Sequence, residues 1–191
     1  MDETDAILSA TQQWLERAVI GLNLCPFAKA VHVKKQIRYV VSCATTPEDL
    51  LKELINEFEF LADTSSEKID TTLLIHPYVF TDFLDYNDFL DVADAALDEL
   101  DLADELQVAS MHPQYQFANT QPDDMENYTN RSPYPTLHLL RESSVDKAVA
   151  AFPEADQIFE KNITTMKQLG HEGWNKLWQP DGHHWNDTTG K

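Results

Sequence analysis

TTLLIHPYVFTDFLDYNDFLDVADAALDELDLADELQVASMHP, residues 71–113, decides the fold. It reads as strand, helix, strand. β-Branched and apolar residues fill TTLLIHP at 71–77 and LQVASMHP at 106–113. Between them, YNDFLDVADAALDEL has two faces at helical spacing. Asp91, Asp94 and Asp98 share one, with Asp88 at its margin; Phe89, Val92, Ala93, Ala96, Leu97 and Leu100 lie on the other. Neighbouring strands joined by a crossover helix run parallel. Both strands end in His-Pro, and proline cannot donate to a ladder. His76 and His112 therefore sit at carboxyl ends, on one edge of the sheet. That edge is where open α/β sheets bind ligands.

Working outward, IRYVVSCA at 37–44 predicts a strand with Cys43 in the core. TTPEDLLKELINEFEFLA predicts a helix capped by Thr46, with Pro47 at its first position. Residues 3–20 predict an amphipathic N-terminal helix, with Gly21 as its cap. Downstream, 114–135 has neither helical nor strand periodicity, and PTLHLLRE at 135–142 predicts a fourth strand. One helix then starts at Ser143 or Ser144, and a second ends at Gly170. Trp14, Trp174 and Trp178 fall at helical positions and are expected in the core. The order β-α-β-α-β-β-α gives one α/β domain over 1–179. Its small, mixed four-stranded sheet is flanked by helices, with an N-terminal helix. Residues 180–191 are expected to form a flexible C-terminal tail.

Composition removes whole classes of function. The 191 residues carry a net charge of −19, which repels phosphate backbones and anionic lipid. No nucleic-acid or membrane partner is expected. No run of about 18 apolar residues is present to span a bilayer. MDETDAILSATQQW is acidic where a secretory signal would be basic and then apolar. With two cysteines, the chain reads as cytoplasmic, with reduced thiols. No glycine occurs between Gly21 and Gly170, so there is no nucleotide-binding glycine loop and no nucleophile elbow. The cofactor stays unassigned; a divalent metal is left open.

The candidate site gathers at the histidine edge. His76 and His112 read either as hydrogen-bonded strand-end residues or as a general acid and base. With His138 as third ligand they could hold a metal. Cys25 is a candidate nucleophile or a buried wall residue, since the helix before it and the turn after it shift a thiol in opposite directions. A long structureless segment in a compact domain is commonly functional. If strand four is antiparallel to strand three, segment 114–135 starts and ends at this edge. It then offers Gln114, Tyr115, Gln116, Ser132 and Tyr134 to a ligand. Arg131 is one of four arginines and either grips an anion or pairs with a local aspartate. Arg141 alternates away from His138, toward the other face.

GLNLCPFAKA at 21–30, MHPQYQFA at 111–118 and NRSPYPTLHLLRE at 130–142 resemble the signatures of the bacterial domain-of-unknown-function family 1415. The resemblance spans about residues 5–179. It implies a single-domain bacterial protein and carries no catalytic residues over to this chain. The residues alone point to an enzyme acting on a small anionic metabolite, with hydrolysis and group transfer in view. The alternatives are a non-catalytic small-molecule or metal-binding protein using the same edge, and an acidic protein-interaction module.

Overall fold

The computed structural model describes residues 2–152 and 154–179; the expected tail at 180–191 lies outside them. Helix α1 (Glu3–Trp14) starts at a capping box. The Asp2 carboxylate accepts the Asp5 N–H at 2.8 Å, and Asp5 accepts the Asp2 N–H. The helix continues as a π-helical stretch over Leu15–Ile20, where the Gly21 N–H reaches back to Glu16 O. Gly21 is not the left-handed cap: its φ is −62°, and Asn23 turns the chain with φ 54°. Glycine is needed at 21 because a Cβ there would lie 2.3 Å from the Arg17 carbonyl oxygen.

After α2 (Ala28–Val33) come β1 (Ile37–Val41), α3 (Pro47–Asp63), β2 (Thr71–Ile75), α4 (Phe83–Glu99) and β3 (Leu106–Met111). A 3₁₀ turn at Met125–Asn130 precedes β4 (Thr136–Arg141), α5 (Glu142–Ala151) and α6 (Ile158–Lys176). Thr46 caps α3 and Asp82 caps α4 through side-chain oxygens. β1 stops at Val41, so Cys43 lies beyond the strand and is exposed, not in the core. Gly170 does end a helix, with φ 62° and ψ 175°, but a second helical segment starts at once and runs to Lys176.

The sheet is mixed and four-stranded, in the order β1-β2-β4-β3. β1 and β2 are parallel; β4 is antiparallel to both β2 and β3. β1, β2 and β3 therefore point the same way, as expected, but β2 and β3 are not neighbours. β4 fills the gap in a split β-α-β unit. Side chains alternate across the sheet. Val40, Leu74, Val108, Leu137 and Leu139 pack with α3 and α4 around Leu54, Phe58, Phe89 and Ala93. Ile37, Tyr39 and Met111 face the opposite layer, where Trp14, Leu15 and Val19 meet Leu169, Trp174 and Leu177. Arg141 turns toward the first layer, and its guanidinium caps α3 by donating to the Leu61 and Thr64 carbonyls. No helix among the described residues is long and apolar enough to cross a membrane.

Candidate functional site

His76 and His112 lie at the same edge, each directly past the carboxyl end of its strand. Both are fully buried. They flank Tyr86 from α4, whose ring lies 5.6 Å from that of His76 and 5.1 Å from that of His112. The Tyr86 hydroxyl donates to Thr136 O at 2.8 Å and accepts the Met111 N–H at 3.1 Å. The hydrogen-bond partners fix the tautomers. His76 Nδ1 faces Val79 O at 3.1 Å, so it carries the proton. His112 Nε2 faces Phe80 O at 3.1 Å and donates, while its Nδ1 accepts the Gln114 N–H at 3.0 Å.

Both rings are neutral, and burial holds both pKa values down, that of His76 to about 4. His112 has spent its lone pair on Gln114. The free lone pair of His76, on Nε2, is buried without a partner among the described residues. Together the two histidines hold adjacent carbonyls of the turn after β2. Phe80 in that turn has φ 56°, a strained conformation for a bulky residue. His112 has no free acceptor nitrogen, and the free Nε2 of His76 is buried away from the surface.

His138 does not join them. It pairs with Leu73 and Ala109 in mid-sheet, and its Nε2 lies 2.8 Å from Thr71 Oγ1, at the amino end of β2. β4 runs antiparallel, so each step from Thr136 toward Arg141 leads away from the histidine edge. His138 keeps some accessible surface, yet lies deep enough that desolvation lowers its pKa to about 4. Among the described residues, no three of His, Cys, Asp and Glu converge as metal ligands. Burial also pushes the Cys25 thiol up, and the Phe27 and Ala28 N–H groups offset this only in part.

The loop 114–135 does start and end at the edge. The His112 N–H donates to Asn130 O, and the His76 N–H donates to Pro135 O. Its organiser is Asn127, a fully buried residue with no signal in the sequence beyond its type. Asn127 Oδ1 accepts from the Phe117 N–H and the Thr120 hydroxyl, and its Nδ2 donates to Gln121 O. Of the predicted ligand residues, Gln116 and Ser132 have their side chains hydrogen-bonded inside this loop, whereas Gln114 and Tyr134 give it only backbone groups. Gln114 uses its N–H on His112, and Gln116 Nε2 donates to Thr120 O. Tyr115 packs between Phe83 and Phe117, and the Tyr134 carbonyl accepts from Ser132 Oγ at 2.6 Å.

Arg131 and Ser132 open instead onto a groove of about 790 Å³ between α1, α6 and the loop. Pro113 and Pro133 place the groove at the carboxyl edge, on the α1 side of the sheet. Ala6, Ser9, Ala10 and Gln13 line it from α1, spaced one and two turns apart. Tyr128, Trp174 and Trp178 line the opposite wall. Trp174 and Trp178 thus serve as groove residues as well as packing ones, and Trp178 is 38% exposed. The regular spacing of the small residues on α1 was the one sequence signal for this wall.

Arg131 is the only charged residue among the described lining. Its guanidinium lies over the Tyr128 ring, 4.2 Å from the centroid. Its Nε donates to Tyr115 O at 3.3 Å and its Nη2 to Pro122 O. Of the two readings of Arg131, the aspartate pairing is not met: among the described residues no carboxylate pairs with it. Two acids of the loop are engaged elsewhere: Asp124 accepts the Gln121 N–H, and Glu126 pairs with Lys167 at 2.9 Å.

A family model described as "Protein of unknown function (DUF1415)" matches residues 6–176. The chain belongs to this family. No curated protein and no solved structure matches it. The strand-end histidines, the Asn127-centred loop and the groove residues other than Trp178 fall inside the matched span.

Proposed function

We propose that this DUF1415 protein binds a small anionic molecule in the groove between α1 and α6, with Arg131 as the anchor for its charge. The observation that carries the reading is the uncompensated guanidinium. It is the one charge among the described residues lining a groove of about 790 Å³, a volume ordinary for small-molecule sites. Carbonyl oxygens orient it without neutralising it. The non-catalytic reading is preferred to the enzymatic one, because His76 and His112 are closed into the core and burial disfavours the Cys25 thiolate. The acidic chain and its two free thiols suit a cytoplasmic, reducing setting.

The test is a thermal-shift screen of the purified protein against small carboxylates and phosphates, repeated on Arg131→Ala. Losing one charged hydrogen bond in a partly dry site should weaken binding about ten- to a hundred-fold. The variant should also lose about 1–2 kcal/mol of stability, because Arg131 ties Tyr115 and Pro122 together. Arg131→Lys should rescue poorly, since an ammonium cannot make both ties and face a ligand. Anion binding unchanged in Arg131→Ala would overturn the reading.

A further inference from the structure

Resting on the groove reading, we infer that its ligand is a monoanionic, planar aromatic carboxylate. Neither a phosphate ester nor an aliphatic acid fits as well. Three features of the groove point to that class. The first is how much of Arg131 is left. Nε and one N–H of Nη2 are held by Tyr115 O and Pro122 O, which leaves the two N–H groups of Nη1 and one of Nη2 without a partner among the described residues. The single positive charge balances one carboxylate and leaves a phosphate dianion half compensated.

The second feature is the lack of a helper. The Ser132 hydroxyl is spent on Tyr134 O. The lysines on the adjoining helix are also paired, Lys167 with Glu126 and Lys176 with Glu172, and Arg17, which donates to Leu177 O, is not part of the groove's described lining. In a chain of net charge −19, a second negative charge on the ligand would meet repulsion with no local compensation. Gln13 and Asn175 add neutral amides to the lining, suited to orienting a carboxylate but not to offsetting charge.

The third feature is the wall. Tyr128 and Trp174 meet edge to face at 5.2 Å, and Trp174 meets Trp178 the same way at 5.2 Å. This aromatic row starts under the guanidinium and ends at the exposed indole of Trp178. Opposite it, Ala6, Ser9 and Ala10 keep α1 short-chained along the groove. A flat ring fits between such walls and gains stacking that a puckered or branched chain does not.

Calorimetric titration of the full chain with four probes tests this: 2-naphthoate, cyclohexanecarboxylate, 2-naphthyl phosphate and 2-naphthalenemethanol. Naphthoate should bind at least about ten-fold tighter than each of the others, one decade per missing feature. Trp178→Leu, a change at an exposed position, should cut naphthoate affinity several-fold and leave cyclohexanecarboxylate unchanged. Arg131→Gln should bring naphthoate down to the level of the alcohol. Equal or tighter binding of the phosphate ester or the cyclohexane acid, still dependent on Arg131, would overturn the ligand class and leave the groove reading standing. Failure of all four, or naphthoate binding indifferent to Arg131→Gln, would overturn both.

Discussion

His76 shows what a fully buried imidazole costs at acid pH. Its folded pKa is about 4, below the value near 6.5 of an unfolded histidine, because burial disfavours the charged ring. Between those two values the unfolded chain binds the extra proton and the folded one does not. Stability is therefore complete above pH 6.5 and falls as the pH drops toward 4, by up to about 3 kcal/mol for this residue alone. His138 is shifted the same way and adds to the loss. Urea titrations at pH 7, 5.5 and 4.5 should follow that fall, and His76→Phe should flatten it by about one proton's slope. A stability independent of pH over this range would refute the neutral, buried assignment. The cysteines give a second prediction. Cys43 is exposed and Cys25 has its thiol pushed up by burial, so an alkylating reagent at pH 7.5 should label Cys43 first. Faster labelling of Cys25 would mean that the turn at Pro26 stabilises a thiolate after all. At this scale the sequence was misleading for Cys43, whose apolar run looked like core although the strand ends two residues earlier.

At the scale of elements, the two glycines with evident roles work by different physics. Gly170 has a positive φ, but a Cβ there would meet nothing within 4 Å. Gly170→Ala should therefore cost only the strain of a backbone conformation that is nearly glycine-only, about 1–3 kcal/mol. Gly21 has ordinary dihedrals, but its Cβ would press on the Arg17 carbonyl of the π-helical stretch. Gly21→Ala should cost more than Gly170→Ala, because backbone must shift; chemical denaturation of the pair checks the order. Asn127→Ala removes the acceptor and donor that knit Phe117, Thr120 and Gln121 into one loop. The expected loss is about 2–4 kcal/mol, with new proteolytic nicks confined to 114–130. Much of the element plan was legible in the sequence: hydrophobic period, Thr46–Pro47 and the two His-Pro ends gave the strands and crossover helices their places. The π-helical stretch and the 3₁₀ turn were not, because they arise from tertiary packing and have no period of their own. The groove was legible only from its loop side. Arg131 and Ser132 could be picked out, whereas Trp174 and Trp178 looked like core because helical spacing does not distinguish a packed indole from one lining a cleft.

For the whole molecule, charge is unevenly spread along the chain. No lysine or arginine occurs between Lys68 and Arg131, a span that holds all of α4 and its row of aspartates. Like charges at that density repel, and salt screens them over a Debye length of about 10 Å at 0.1 M. Raising NaCl from about 10 mM to 300 mM should raise the melting temperature, the reverse of a fold held by surface ion pairs.

The position of β4 also sets an order of assembly. The strand that joins β3 to the rest of the sheet is made last, after the loop, at residues 136–141. A nascent chain that has emerged only as far as the loop has β1 and β2 able to pair, while β3 has no strand to lie against. Synthesis at about 5–20 residues per second leaves that strand edge uncovered for seconds on the ribosome. Its sequence, LQVASM, carries no charge to discourage another chain from pairing with it. The acidic helix immediately before it is then more than a solvated face. Carried close to β3 on every copy, its negative charge opposes the approach of an equally acidic neighbouring chain until β4 closes the gap.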